Sequence, residues 1–214
     1  MKRWSILLTV ILLFGINLAA MAQDEDEESD LLEVCFYGGL GAPSGGLSDW
    51  HDSLGAKMGW SLGADFGYFF RYNLVVGVNF MYTQFGIDGP PEVDGSYHRL
   101  YNPNLYAKYY FIGESNLEPY VKAHVGIQNA KFTTLLSEPR YQAVSYDPVL
   151  AAGAGLGLFY YSADYSGIFL EVGYHHAATG DAKREYRDET LTFDETLGVW
   201  DIHAGVRVLI GSGE

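Results

Sequence analysis

The chain has 214 residues, and 27 acidic against 13 basic side chains give it a formal charge of −14 at pH 7. That balance excludes the basic face that nucleic-acid binding requires and gives no polybasic patch for anionic headgroups. Cys35 is the single cysteine, so an internal disulfide is excluded.

The first predicted element is a signal peptide over residues 1–22. Lys2 and Arg3 give a positive start, and Ile6 to Leu18 is an apolar run broken by Thr9, Gly15 and Asn17. Ala20-Met21-Ala22 then supplies the small-x-small pattern for cleavage after Ala22. The run is short for a membrane span of about 20 residues, and an acidic stretch follows it. Without Lys2 and Arg3 the chain keeps 11 basic and 27 acidic residues, a formal charge of −16. Residues 23–31, beginning QDEDEESD, read as a solvated acidic periplasmic tail before a domain over 32–214. Cys35 lies well beyond Ala22 and follows Glu33-Val34, so it reads as a small buried or wall-facing hydrophobe rather than a lipidation site.

Beyond the tail no segment has 18 consecutive apolar residues, so no transmembrane helix is predicted. Instead hydrophobicity alternates with a period of two, the mark of strands with two different faces. Eight strands are predicted near 32–42, 57–69, 74–85, 97–111, 119–132, 146–161, 168–177 and 196–210. Connections alternate between short (70–73, 112–118, 162–167) and long (43–56, 86–96, 133–145, 178–195). Short periplasmic turns and longer outer loops are expected of an outer-membrane barrel, which puts both termini in the periplasm.

The faces carry the argument further. In the second strand Met58, Trp60, Leu62, Ala64, Phe66 and Tyr68 share one face, opposite Gly59, Ser61, Gly63, Asp65 and Gly67. In the fifth, Val121, Ala123, Val125 and Ile127 oppose Lys122, His124, Gly126 and Gln128. In the last, Trp200, Ile202, Ala204, Val206 and Val208 oppose Asp201, His203, Gly205 and Arg207. A soluble lipocalin-like barrel would turn the apolar face inward; a membrane barrel does the reverse. Glycine is concentrated on the charged face, where a narrow lumen needs small residues to make room for large polar ones. The fold class is therefore all-β, an eight-stranded antiparallel up-and-down transmembrane β-barrel. Tyr68, Tyr82, Tyr109, Tyr160, Tyr174 and Trp200 are expected to form interfacial girdles.

The stretches LYNPNLYAKYYFIGESNLEPYVKAHVG (100–126) and AAGAGLGLFYYSADYSGIFLEVGY (151–174) resemble the eight-stranded outer-membrane β-barrel family, the OmpA/OmpX-like group. The resemblance spans residues 32–210 and implies a fold and a compartment. Members usually finish the last strand on an aromatic residue read by the assembly machinery; this chain ends Val208-Leu209-Ile210 and then GSGE, a weaker insertion signal. The implied partners are outer-membrane lipid, lipopolysaccharide and that machinery.

With the glycine face inward, the lumen charges are Glu33, Asp65, Lys108, Lys122, Glu171, Asp201 and Arg207, joined by His124, His175 and His203. Counted from the strand ends, most fall in one lower layer. Pairing is expected because an isolated buried charge is costly. The expected pair is Glu171–Arg207, with Glu33 or Asp65 sharing Arg207 or reaching the lysines. An eight-stranded lumen is usually just wide enough to be filled, so the layer reads as a fixed plug, with a switchable gate in a narrow pore as the alternative. A third reading is a soluble periplasmic lipocalin-like carrier.

No enzyme is predicted. His175-His176 is faintly similar to the His-x-Ser motif of outer-membrane lipid A deacylases, but Ala177 and Ala178 stand at the serine position, and a base without its nucleophile is no triad. Neither metal nor cofactor is expected. The histidines are scattered, the loop Asp181–Asp194 lacks EF-hand spacing, and no helix follows Gly155-x-Gly157 to make a phosphate cradle. The remaining candidate is surface interaction through outer loops, where Trp50-His51-Asp52 and Tyr186-Arg187-Asp188 mix aromatic and charged groups.

Overall fold

Period-two alternation is realised as long strands in a computed structural model, which describes residues 31–45, 48, 55–88, 96–113, 115–133, 144–178, 182–184, 190–191 and 196–211. The expected signal peptide, the tail through Asp30, and the loop motifs at 50–52 and 186–188 lie outside the described residues. The strands are β1 (Leu32–Gly45), β2 (Gly55–Arg71), β3 (Leu74–Asp88), β4 (Tyr97–Tyr110), β5 (Leu117–Thr133), β6 (Val144–Tyr146), β7 (Val149–Ala163), β8 (Ser166–Ala178), β9 (Ala182–Arg184), β10 (Thr190–Leu191) and β11 (Thr196–Ile210).

Eight of them close on themselves. β1 to β5 pair in sequence order, β5 pairs with β7, β7 with β8, β8 with β11, and β11 returns to β1, all antiparallel. Closure leaves the wall no free edge, the condition for placing backbone in lipid. The three short strands extend β5 beyond the rim at the long-loop end, in the order β5–β6–β9–β10. The sixth predicted strand is thus split: β6 and β7 are separated at Asp147-Pro148, where proline has no N–H to give a ladder.

The apolar face points outward. Met58, Leu105 and Leu156 are 65%, 64% and 67% exposed, whereas Glu33, Asp65 and Arg207 are at most 1% exposed. The lipocalin-like arrangement, with apolar side chains inside, is therefore ruled out. Trp60, Tyr82 and Tyr101 sit on neighbouring strands with ring centroids 5.2 and 5.1 Å apart, and Trp200 packs on Tyr174 at 4.7 Å. At the short-turn end Tyr68, Phe70, Phe111 and Tyr160 are exposed. Trp60 and Tyr68 are eight residues apart on β2, as are Tyr101 and Tyr109 on β4. At ~3.4 Å per residue and a tilt of ~40°, the bands stand roughly 21 Å apart along the barrel axis, close to the usual apolar height of ~25 Å.

The glycines make room for lumen rings. A Cβ at Gly63 would fall on the ring of Tyr37, one at Gly157 on the ring of Tyr120, and one at Gly67 on the hydroxyl of Tyr106.

Candidate functional site: the lumen network

Inward-facing positions of six wall strands supply one connected set of ion pairs near the short-turn end. Lys108 of β4 reaches Glu33 of β1 at 2.6 Å and Asp65 of β2 at 3.4 Å. Lys122 of β5 reaches Asp65 at 2.8 Å and Glu171 of β8 at 3.6 Å. Arg207 of β11 stands 3.6 Å from Glu33 and 3.9 Å from Glu118 of β5. The alternation of charge is what allows these groups to be buried: Glu33 and Asp65 each lie between two cations, Glu171 and Glu118 each face one, and phenols fill further acceptor sites on Glu33 and Glu171. Tyr110 and Tyr106 donate to Glu33 at 2.5 and 3.2 Å, Tyr120 donates to Glu171 at 2.9 Å, and Asn79 donates to Asp65 at 2.6 Å.

Aromatic faces complete the seating of the cations. The Arg207 guanidinium lies 3.5 Å from the centroid of Phe159 and donates to the Tyr161 hydroxyl at 2.7 Å. Lys108 stands 5.2 Å from the Tyr120 ring and Lys122 5.2 Å from the Tyr106 ring. Donor atoms of Glu33, Cys35 and Asp65 lie within 4.8 Å of one another, a spacing a metal would accept. The Lys108 ammonium already sits against all three, 3.9 Å from the Cys35 sulfur, and supplies the positive charge there.

Above this layer the three predicted histidines meet. His124 Nε2 lies 2.7 Å from His175 Nδ1, and His175 Nε2 lies 2.9 Å from Asp201 Oδ2, close enough for an ion pair but not aligned as a hydrogen bond. His203 Nδ1 lies 3.1 Å from Asp201 Oδ1, and its Nε2 is 2.7 Å from Ser61 Oγ. A carboxylate only accepts, so the ring nitrogens facing Asp201 carry the protons, and with neutral rings Ser61 donates to His203 and His124 to His175. Five groups from β2, β5, β8 and β11 thus form one polar chain across the lumen.

Its Ser61–His203–Asp201 end has the order of a nucleophile, base and carboxylate. The cavity beside the histidines has only about 10 Å³, room for one water-sized sphere and none for a substrate.

Sequence reasoning placed all ten of its lumen residues on the inward face, and it did not find everything they touch. The expected Glu171–Arg207 pair is not formed: Glu171 is held by Lys122 and Tyr120, and Arg207 by Glu33, Glu118 and Tyr161. Register is the reason. Glu171 stands opposite His203 and Arg207 opposite Gly167, four positions lower, because β8 begins at Ser166 rather than at 168 and that first residue meets Val208 rather than Ile210. Asp201 lies above the lower layer, with the histidines. Glu118, Ser61 and the inward tyrosines were missed. Glu118 shares the parity of Tyr120 and Lys122, a signal lost by starting that strand one residue late.

Apolar clusters lie on both sides of the polar layers. Phe69, Val75, Tyr110, Phe159 and Phe169 surround the ion pairs below, with Leu31 and Leu209 against them. Ala56, Phe85, Leu100, Leu197 and Val199 pack together above the histidines.

No family model matches the chain, and no curated protein matches it. Solved structures do. Neisserial surface protein A is 19% identical, with 86% of this chain and 99% of that chain covered at a TM-score of 0.55. Outer membrane protein OprG of Pseudomonas aeruginosa is 16% identical over 87% and 98%, with a TM-score of 0.61. Outer membrane protein AlkL is 14% identical over 89% and 96%, with a TM-score of 0.54. At these identities the likeness is one of fold. The chain has the fold of the eight-stranded outer-membrane β-barrels, the class its outward apolar wall and closed ladder define.

Proposed function

We propose that the chain is a non-enzymatic barrel of the outer membrane whose lumen is a fixed plug and whose work is done at its outer end. On this reading it is exported with cleavage after Ala22, is inserted by the outer-membrane assembly machinery, and serves envelope structure or surface interaction through its long loops. The carrying observation is the lumen: an ion-paired layer lies between apolar clusters, beside a cavity of only about 10 Å³. A gate would need these pairs to separate. Each is buried, and separating it would leave an uncompensated charge in low dielectric.

The test is single-channel recording of residues 23–214 refolded into planar bilayers, with a heat-sensitive gel shift to show folding. A folded and electrically silent barrel is expected. Discrete openings altered by Glu171→Gln would overturn the plug in favour of a narrow gated pore.

A further inference from the structure

Along the upper aromatic band the register brings two outward cations side by side. Arg99 of β4 is directly opposite Lys131 of β5, Gln84 of β3 is opposite Arg99, and Trp60 of β2 is opposite Gln84. The adjoining outward row nearer mid-wall is Leu62, Tyr82, Tyr101 and Asn129. Like charges directly opposite on neighbouring strands destabilise a sheet unless something negative lies between them. Among the described residues neither cation has a carboxylate partner. The Arg99 guanidinium lies over the Tyr97 ring, 4.4 Å from its centroid, and donates to the Tyr97 hydroxyl. Tyr82 donates to Gln84 Oε1 at 2.7 Å, which leaves the Gln84 amide N–H groups as donors.

We propose that Arg99, Lys131 and Gln84 form a binding site for the phosphate of an outer-leaflet glycolipid headgroup. The proposal rests on the outer-membrane reading above. A phosphate monoester placed in this row takes the terminal N–H groups of Arg99 not given to Tyr97 and the ammonium of Lys131, and it converts a repulsive pair into a bridged one. Position selects a lipid over a dissolved anion. The row includes Trp60 and adjoins Tyr82 and Tyr101, the aromatic band of headgroup depth, and it lies on the outward face, so its donors point sideways into the headgroup layer.

The test uses residues 23–214 refolded into phosphatidylcholine vesicles containing either bis-phosphorylated lipid A or its dephosphorylated form. Lipid carried through gentle extraction is counted by native mass spectrometry. The phosphorylated form is retained and the dephosphorylated form is lost. Retention falls about tenfold in the Arg99→Gln, Lys131→Gln double variant, as expected for the loss of charge-assisted contacts. In lipid-free detergent Lys131→Gln raises the melting temperature by removing the like-charge pair, and with phosphorylated lipid present the order reverses; this single variant serves if the double one does not fold. Equal retention of the two lipids, undiminished retention by the variant, or no reversal would overturn the site. A heat-sensitive gel shift reads insertion separately. A wild-type chain that never inserts defeats the membrane reading and the site with it, whereas one that inserts and retains no phosphorylated lipid defeats the site alone.

Discussion

Arg207 shows how little slack a buried charge has in a narrow lumen. Its guanidinium faces Glu33 and Glu118, lies on Phe159 and donates to Tyr161, yet Nε and Nη1 have no hydrogen-bond partner. Its neighbours are therefore more dependent on it than it is well served by them. Arg207→Ala would leave Glu33 with Lys108 alone and Glu118 with no cation, at a cost of about 3–5 kcal/mol. A lowered urea midpoint of the folded barrel in detergent is the expected reading, and an unchanged midpoint would refute the pairing. Arg207→Lys keeps the charge but loses the planar stack on Phe159, so its midpoint should lie between the two. Asp201 presents the complementary case. Among the described residues five inward carboxylates (Glu33, Asp65, Glu118, Glu171 and Asp201) face three cations (Lys108, Lys122 and Arg207), and the one carboxylate without an ion pair to those cations, Asp201, is placed between two imidazoles.

At the scale of the element, β7 is built around absence. Gly153, Gly155 and Gly157 face inward along it, and this side of the wall contributes volume rather than charge. The rings of neighbouring strands occupy that volume: Tyr120 lies where a side chain at Gly157 would stand, and His124 where one at Gly153 would. Gly157→Val should push Tyr120 off Glu171 and overpack the layer, at roughly 1–3 kcal/mol. A fall in thermal midpoint without loss of insertion would show it, and an unaffected midpoint would mean the Tyr120–Glu171 contact is incidental. The same strand explains the limits of the sequence reading. Its alternation was legible from Leu150 to Tyr160, but its true start, three residues after 146, depended on how Asp147-Pro148 breaks the ladder.

For the molecule as a whole, a filled lumen is a statement about access. Cys35 is fully buried on the inner wall, 3.9 Å from the Lys108 ammonium. A water-filled pore would admit a small maleimide to it; a plug would not. The folded barrel in detergent should stay unlabelled at Cys35 and become labelled after heat unfolding. Rapid labelling of the folded form would argue for the pore. The two apolar clusters lie on either side of the polar layers, and the β6–β9–β10 extension continues from β5 at the end opposite the short turns.

The alternation along the chain was enough for the fold class, the number of wall strands and the inward charges other than Glu118, because a period of two depends only on neighbours in one strand. It carried the glycine logic too, since small residues and charges shared a face in β2, β5 and β11. The tertiary structure decided which charge meets which. Register between strands is a long-range quantity, fixed by closure and by where each turn begins, and a shift of a few positions moved Glu171 from Arg207 to Lys122. The same holds at the rim. Arg99 and Lys131 lie far apart in a strongly acidic chain with no basic run, and only the β4–β5 register makes them neighbours.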